Sequence, residues 1–146
     1  MNLHLEEVTS KNWRYVISLK VNENQQNLIE SNAYSIVESK FIPQWHPKSI
    51  YCNNNLIGFA MYGYFQKENR LWLDRFMIDY RYQNKGYGKA SLNLLINTIL
   101  KEYNCNKIYL SIFKNNIEAM KLYKKFGFEF TGELDENGEL IMVLEC

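Results

Sequence analysis

Several features that would assign this sequence to a special class are scarce in it. Its 146 residues include only 2 Pro and 7 Gly, so the composition is neither disordered nor collagen-like. Lys and Arg number 17 against 16 Asp and Glu, and this formal net charge of +1 does not indicate nucleic-acid binding. The most apolar helical stretch, 92–100, contains Asn and Thr and is far shorter than the ~20 apolar residues of a membrane span. We therefore expect one globular domain, residues 1–146, with neither nucleic acid nor a membrane as its partner.

Cysteine and histidine are also scarce. Cys52, Cys105 and Cys146 form an odd set without C-x-x-C spacing, which argues against a disulfide framework and against a zinc site. His4 and His46, the only histidines, do not adjoin a cysteine, so a covalent acyl-cysteine route is disfavoured. The first residues lack the basic and apolar regions of a secretory signal. We expect a cytoplasmic protein without a metal.

Hydrophobic spacing predicts strands and helices in a mixed order. The first strand is expected near residues 3–8, followed by a helix that Thr9 or Ser10 caps and that turns Trp13, Val16, Ile17 and Leu19 inward. The later expected elements are a helix at 31–40, strands at 50–52, 56–62 and 71–78, a helix at 86–103, a strand at 108–113, a helix at 117–126, and strands at 128–132 and 140–144. Residues 53–55, all Asn, favour a hairpin turn. The order predicts an α+β (mixed α/β) fold with a mostly antiparallel sheet flanked by helices.

A loop with two glycines joins the strand that ends at Asp79 to the long helix. Glycines let backbone N–H groups close on an anion, and a helix start favours negative charge. A Walker A loop would need Gly where Gln83 stands and Ser or Thr where Ala90 stands, and a dinucleotide fingerprint would need Gly in place of Ser91. The loop therefore predicts a phosphate or pyrophosphate site of another kind.

Two motifs carry a family resemblance. Residues 83–88 match the Q/R-x-x-G-x-G/A signature of the GCN5-related N-acetyltransferases, and residues 116–128 resemble the second family signature, N-x-x-A-x-x-L-Y-x-x-x-G-F. The resemblance implies the acyl-CoA N-acyltransferase fold of that family, acetyl-CoA as cosubstrate, and acetyl transfer to an amine. Residues 56–63, 72–79 and 132–139 look most like the bacterial spermine/spermidine acetyltransferases, which implies a polyamine acceptor.

The resemblance also implies which residues contact the coenzyme. The glycine loop would cradle its pyrophosphate, the backbone of Met77 and Ile78 would pair with pantetheine where the sheet splays, and Asn116 would bind the coenzyme arm. Local chemistry keeps alternatives open, because Asn is also an excellent helix N-cap and exposed lysines are common at helix starts. The coenzyme contacts that we expect are Met77, Ile78, Gln83, Asn84, Lys85, Gly86, Tyr87, Gly88, Lys89, Asn116 and Tyr123.

Tyr123 occupies the place of the family tyrosine that protonates the departing CoA thiolate. A phenol with a pKa of ~10 is protonated at neutral pH and can donate to a thiolate whose conjugate acid has a pKa of ~8.5. Considered without the resemblance, Tyr123 reads as one core aromatic among 11 tyrosines. We predict that it is the general acid.

Asp74 matches the position of a Glu general base in the polyamine enzymes. Strand alternation would place it on one face with Trp72, Phe76 and Ile78, where a carboxylate is expected only if it is paired or used. An apolar wall raises the pKa of a carboxylate and suits it to accept a proton from the amine. Aspartate is one methylene shorter than glutamate, so a water relay is expected, and an ion pair with an arginine is the structural alternative.

Carboxylates support the polyamine interpretation of the acceptor. Glu30 and Glu38 flank the polar helical segment that, by resemblance, overlies the acceptor site. Together with Asp74 and Asp79 they are acidic residues that favour a polycation. Charged residues on such a segment are usually only solvated. We predict direct attack of a neutral amine on acetyl-CoA in a ternary complex, and the resemblance also allows a homodimer.

Other functions stay open at this point. Within the enzyme class, the acceptor could instead be another small amine, an aminoglycoside or a protein amino group. A different class is a non-catalytic acyl-CoA-binding module that keeps the glycine loop and lacks turnover. The presence of both Tyr123 and Asp74 argues against that module.

Overall fold

Seven strands form one sheet in the computed structural model, which describes residues 1–146. The strands are β1 (Leu3–Glu7), β2 (His46–Cys52), β3 (Asn55–Phe65), β4 (Arg70–Ile78), β5 (Lys107–Ile112), β6 (Glu129–Leu134) and β7 (Leu140–Glu145). The helices are α1 (Trp13–Ser18), α2 (Asn32–Phe41), α3 (Tyr87–Tyr103) and α4 (Ile117–Lys125), with short 3-10 helices at Glu23–Gln25 and Tyr80–Tyr82. None of the helices combines the length and apolar character that crossing a membrane requires.

The sheet is antiparallel except at one place. Its order is β1-β2-β3-β4-β5-β7-β6, and only β4 and β5 run parallel. The β2–β3 turn forms at the expected place because Asn53 adopts the left-handed conformation, with φ of 54°. The predicted mixed fold with a mostly antiparallel sheet is confirmed.

The parallel pair of strands opens the sheet. The pairing of β4 with β5 is confined to Trp72 and Tyr109, whose rings lie 5.6 Å apart. The Arg70 guanidinium lies over the Tyr109 ring at 4.2 Å. Past this point β4 pairs with β3 only, so its β5 side borders a cleft.

Two apolar clusters cover the two faces of the sheet. The larger core cluster joins the buried side of α3 to the strands through residues such as Leu92, Leu95 and Ile108. The smaller one packs Val16 and Leu19 against the sheet. Each fully buried aliphatic side chain of this kind contributes about 1.5–3 kcal/mol.

The first helix differs from its prediction. Trp13 is 38% exposed, although Val16 and Leu19 are buried as expected. Neither Thr9 nor Ser10 occupies the N-cap position of α1, which is Asn12. The Asn12 side chain accepts a hydrogen bond from the Thr9 amide at 2.8 Å. Thr9 and Asn12 therefore form a turn before the helix. The helix begins only at Trp13, which lies in its exposed first turn.

Candidate active site

The glycine loop wraps the start of α3. Asn84 and Gly86 both adopt left-handed conformations, with φ of 61° and 87°, and Gly86 is the N-cap of the helix. The first backbone N–H groups of an α-helix have no helical acceptor, so they remain free to bind an anion. Beside them, a Cβ added to Gly88 would meet no atom within 4 Å, so the backbone there borders open space.

A cavity of about 240 Å³, here called the loop cavity, lies against this loop. Residues 76–78 of β4, the glycine loop, α4 and the segment around residues 21–29 bound it. Seven expected coenzyme contacts line it: Met77, Ile78, Gln83, Asn84, Gly88, Asn116 and Tyr123. The splayed sheet thus brings the end of β4, the loop and α4 around one space.

Four expected coenzyme contacts lie outside the loop cavity. Lys85 Nζ donates to the carbonyl oxygen of Arg81 at 3.2 Å, and the Tyr87 ring packs edge-on against Tyr82 at 6.0 Å. Gly86 serves as the helix cap, and Lys89 is exposed. The motif fixes the path of the backbone, but it does not fix where these side chains point.

Gln83 turns its side chain into the structure. Its Nε2 donates to the carbonyl oxygen of Ile78 at 2.9 Å and to Gln25 Oε1 at 3.1 Å, while Gln25 Nε2 donates to Glu118 Oε2 at 2.9 Å. The Gln83 side chain therefore links the loop to the end of β4 and, through Gln25, to the first turn of α4. These bonds hold the loop cavity's walls together.

Asn116 is the N-cap of α4, and its contact with the coenzyme stays a prediction. Its Oδ1 accepts a hydrogen bond from the Ala119 amide at 3.4 Å, so it caps α4. The same residue lines the loop cavity and the neighbouring acidic cavity described below.

Tyr123 lies at the junction of those two cavities. It projects from α4, is 8% exposed, and its ring packs edge-on against Phe128 at 5.5 Å. Burial raises the pKa of Tyr123 above its usual value of 10.0, with no charged neighbour contributing. The phenol therefore keeps its proton at neutral pH.

The second cavity, here called the acidic cavity, has a volume of about 770 Å³. Six carboxylates and a single cation, Arg75, line it. The six are Glu30, Glu38, Asp74, Asp135, Glu136 and Glu139. No three of them are close enough together to hold a metal ion. Trp45 and Phe65, whose rings meet at 4.6 Å, add an apolar surface to the same cavity.

The structure brings the expected acceptor residues Glu30, Glu38 and Asp74 to this cavity, but it excludes Asp79. That carboxylate is 1% exposed and accepts hydrogen bonds from the Lys20 amide at 2.9 Å and from Arg81 Nε at 2.7 Å. Asp79 therefore fastens the start of the glycine loop to the segment after α1. Its position directly after a strand gave no sign of this use.

Sequence reasoning missed three of the cavity's acids, Asp135, Glu136 and Glu139. They belong to the turn between β6 and β7, where the Asn137-Gly138 pair favours a hairpin turn but does not indicate an acidic site. The available signal was the likeness of residues 132–139 to the polyamine enzymes. The fold carries this distant turn to the side of β4 and α2.

Asp74 occupies a β-bulge, which changes its expected face. Met61 pairs with Arg75 while Tyr62 pairs with Leu73, so Asp74 is an extra residue in β4. Leu73 and Phe76 both pack on the larger core cluster, so the alternation breaks between them. Asp74 therefore lies on the face opposite Phe76 and Ile78, and the predicted common face is wrong.

Asp74 forms an ion pair with Arg75 and has a raised pKa. Its carboxylate accepts a hydrogen bond from Arg75, which also lies 3.5 Å from Glu38 Oε1. Burial raises the pKa of Asp74 from 3.8 to about 6; the Arg75 charge opposes this rise, and nearby carboxylates add to it. Asp74 can therefore take up a proton near neutral pH, and in its ionised form Arg75 holds it in place.

Known proteins resemble this chain in sequence and in fold. Residues 9–128 match the model of the acetyltransferase (GNAT) family. The spermine/spermidine N(1)-acetyltransferase of Bacillus subtilis (strain 168) is 46% identical over 151 residues, with 99% of each chain covered. The spermidine N-acetyltransferase of Vibrio cholerae, solved with CoA and spermine, superposes with a TM-score of 0.75 at 21% identity, covering 99% of this chain and 95% of that one. The PaiA N-acetyltransferase of Thermoplasma acidophilum, solved with coenzyme A, gives a TM-score of 0.72 at 19% identity over the whole of both chains.

Proposed function

The chain belongs to the acetyltransferase (GNAT) family, and from that premise we propose that it transfers the acetyl group of acetyl-CoA to a primary amine of a polyamine such as spermidine or spermine. The observation that carries the proposal is the position of Tyr123. It lines both the loop cavity and the acidic cavity, so a thioester on one side and an amine on the other would meet beside its hydroxyl.

The loop cavity suits the coenzyme. The free N–H groups at the start of α3 can bind a pyrophosphate, and the open space beside Gly88 lets it approach the backbone. On its β5 side the second half of β4 has no partner strand, and there the backbone of Met77 and Ile78 would pair with the amides of pantetheine. When bound, acetyl-CoA supplies the activated acetyl group.

Two side chains carry the proton transfers. Asp74 accepts a proton from the acceptor ammonium, directly or through a water, and its pKa of about 6 leaves it ionised at neutral pH. The neutral amine then attacks the thioester in a ternary complex; as the N–C bond forms and the C–S bond breaks, the nitrogen loses its second proton, which through water replaces the proton that Tyr123 gives up. Tyr123, protonated at neutral pH, donates its proton to the departing thiolate.

The acidic cavity fits a long cation with apolar spacers. Its six carboxylates outnumber its one cation, and no three of them are grouped as ligands of a metal ion would be. Trp45 and Phe65 supply apolar surface for methylene groups between charged amines. The B. subtilis relative, which matches over nearly its full length, is named for the same substrates.

The proposal extends to location and assembly. Cys52, Cys105 and Cys146 are all free, which agrees with a reducing cytoplasm. A homodimer, common in the family, stays a prediction.

The proposal is tested by thiol release from acetyl-CoA in the presence of single amines, with products identified by mass. The panel contains spermine, spermidine, a linear monoamine, an aminoglycoside and a peptide with a free amino terminus. We expect release above the amine-free rate to be fastest with the two polyamines. A ranking led by the aminoglycoside or the peptide would reassign the acceptor, and no release with any amine would leave an acyl-CoA-binding module.

A further inference from the structure

Glu139 lies at the end of a turn that is closed by its own hydrogen bonds. Asp135 Oδ1 accepts from the amides of Asn137 at 2.9 Å and Glu139 at 2.8 Å, and the Asp135 amide donates to the Glu139 carbonyl oxygen at 2.9 Å. Glu139 directly precedes β7 and is half-buried in the acidic cavity. The turn therefore fixes the backbone from which its carboxylate enters the cavity.

Glu139 differs from the other acids of the cavity in its partners. Arg75, the cavity's single cation, is taken up by Asp74 and Glu38. Asp135 accepts two backbone hydrogen bonds, while Glu30 and Glu136 are exposed to water. Glu139 is half-buried, and no Lys, Arg or His nitrogen lies within 4.0 Å of its carboxylate. A partly desolvated carboxylate without a cation gains more from binding one than an exposed carboxylate does.

The cavity connects this carboxylate to the reacting centre. Asp74 and Tyr123 line the same space, and an amine at Tyr123 would be the one that loses its proton. A second amine of the same molecule stays charged and needs a carboxylate elsewhere in the cavity. On the basis of the proposed function, we infer that Glu139 binds the second ammonium group of the acceptor and thereby determines the preference for polyamines over monoamines. Asp135 acts as its positioning residue.

The charges that face Glu139 predict how this contact depends on pH. Burial and the neighbouring Asp135 raise the pKa of Glu139 from 4.5 to about 7; across the cavity Asp74 adds to the rise and Arg75 opposes it. Glu38, held by Arg75, and the exposed Glu30 and Glu136 complete the charged lining. Above pH 7 the carboxylate is ionised and attracts an ammonium group, whereas below pH 7 it is protonated. The KM for a polyamine should therefore fall as the pH rises from 6 to 8.

The test compares Glu139→Gln with the matched variant Glu129→Gln, which removes the same charge from an exposed position on β6 outside both cavities. KM and kcat are measured with spermidine and with a linear monoamine of equal length. We expect Glu139→Gln to raise the spermidine KM about 10- to 100-fold, the range for losing a hydrogen bond to a charged group, with kcat little changed. Its monoamine kcat/KM and its KM for acetyl-CoA should equal those of the wild type, as should all constants of Glu129→Gln.

The pH dependence supplies a readout that a structural role would not move. Glu139→Gln should abolish the fall of the spermidine KM between pH 6 and 8, and Glu139→Asp should restore part of it. If Glu139→Gln fails to fold, the wild-type enzyme still tests the inference. Its KM for spermidine should fall between pH 6 and 8, whereas its KM for the monoamine should stay constant, and a constant KM for both amines would overturn the role of Glu139.

Failure of this inference is distinct from failure of the proposed function. A folded Glu139→Gln enzyme with an unchanged spermidine KM, or with equal losses for spermidine and monoamine, would overturn the role of Glu139 while acetyl transfer persists. A wild-type protein that acetylates no polyamine would overturn the proposed function itself.

Discussion

Replacing Asp74 with Asn should remove the acidic limb of the rate profile. Because the pKa of Asp74 is about 6, only about a tenth of the molecules carry the ionised base at pH 5, against nearly all at pH 7.5. The wild-type kcat should therefore fall about tenfold between pH 7.5 and pH 5. An aspartate at the usual value of 3.8 would remain mostly ionised at pH 5 and would give almost no fall. Asp74→Asn should lower kcat by roughly 10²–10⁴-fold at pH 7.5, the usual effect of losing a positioned base.

The assay is thiol release at saturating acetyl-CoA and spermidine from pH 5 to pH 9. Asn retains an oxygen that can accept the Arg75 hydrogen bond, so the variant should fold. Arg75→Gln provides a check on the assignment, because loss of the positive charge that opposes the rise should move the limb above pH 6. A limb that stays near pH 6 in Asp74→Asn, with kcat within about threefold of the wild type, would refute the general-base role.

Three further changes test the site and its electrostatics. Tyr123→Phe should lower kcat by roughly 10²–10⁴-fold with little change in CoA affinity, and an unaltered kcat with chemistry limiting would leave Tyr123 a core aromatic. Gly88→Val should fold normally, because a Cβ there meets no atom within 4 Å, but its side chain should block the coenzyme; wild-type CoA affinity by calorimetry would contradict this. The pKa of Glu139 is about 7 in the folded chain against 4.5 for a free glutamate, so folding takes up a proton between these values and stability declines as the pH rises through them. Glu139→Gln should therefore have a higher Tm than the wild type at pH 8 and a similar Tm at pH 4. A Tm difference that does not vary with pH would contradict a raised pKa of Glu139 in the folded chain.

Much of the fold could be predicted because most elements follow local patterns. The expected helix at 86–103 and the β2–β3 turn at Asn53 lie within a residue of their observed positions. The orientation of α1 could not be predicted, because six residues define its periodicity poorly and an Asn12-based turn delays its start. The bulge at Asp74 was also hidden, since an extra residue in one strand is visible only when the partner strand is paired with it.

The candidate site also contains features that local motifs predict and features that depend on the tertiary fold. Local motifs located Tyr123 and the glycine loop, whose spacing determines the backbone path. The same motifs could not show that the Lys85 and Tyr87 side chains turn away from the loop cavity. Glu139 was missed because its proximity to Asp74 depends on the β6–β7 turn meeting β4 in space, and no local pattern encodes that contact.

The most direct measurement of the central claim is the ratio of kcat/KM for spermidine to that for a linear monoamine of equal length, at low and at high salt. An acidic cavity joined to the thioester at Tyr123 predicts a ratio of about tenfold or more at low salt, because the second ammonium group gains a charge-assisted contact. The ratio should shrink at 1 M salt, where the Debye length is ~3 Å, yet stay above one because Glu139 is half-buried. Equal kcat/KM values for the two amines at both salt concentrations would contradict a polyamine site. Membership of the acetyltransferase family would be unaffected by that result.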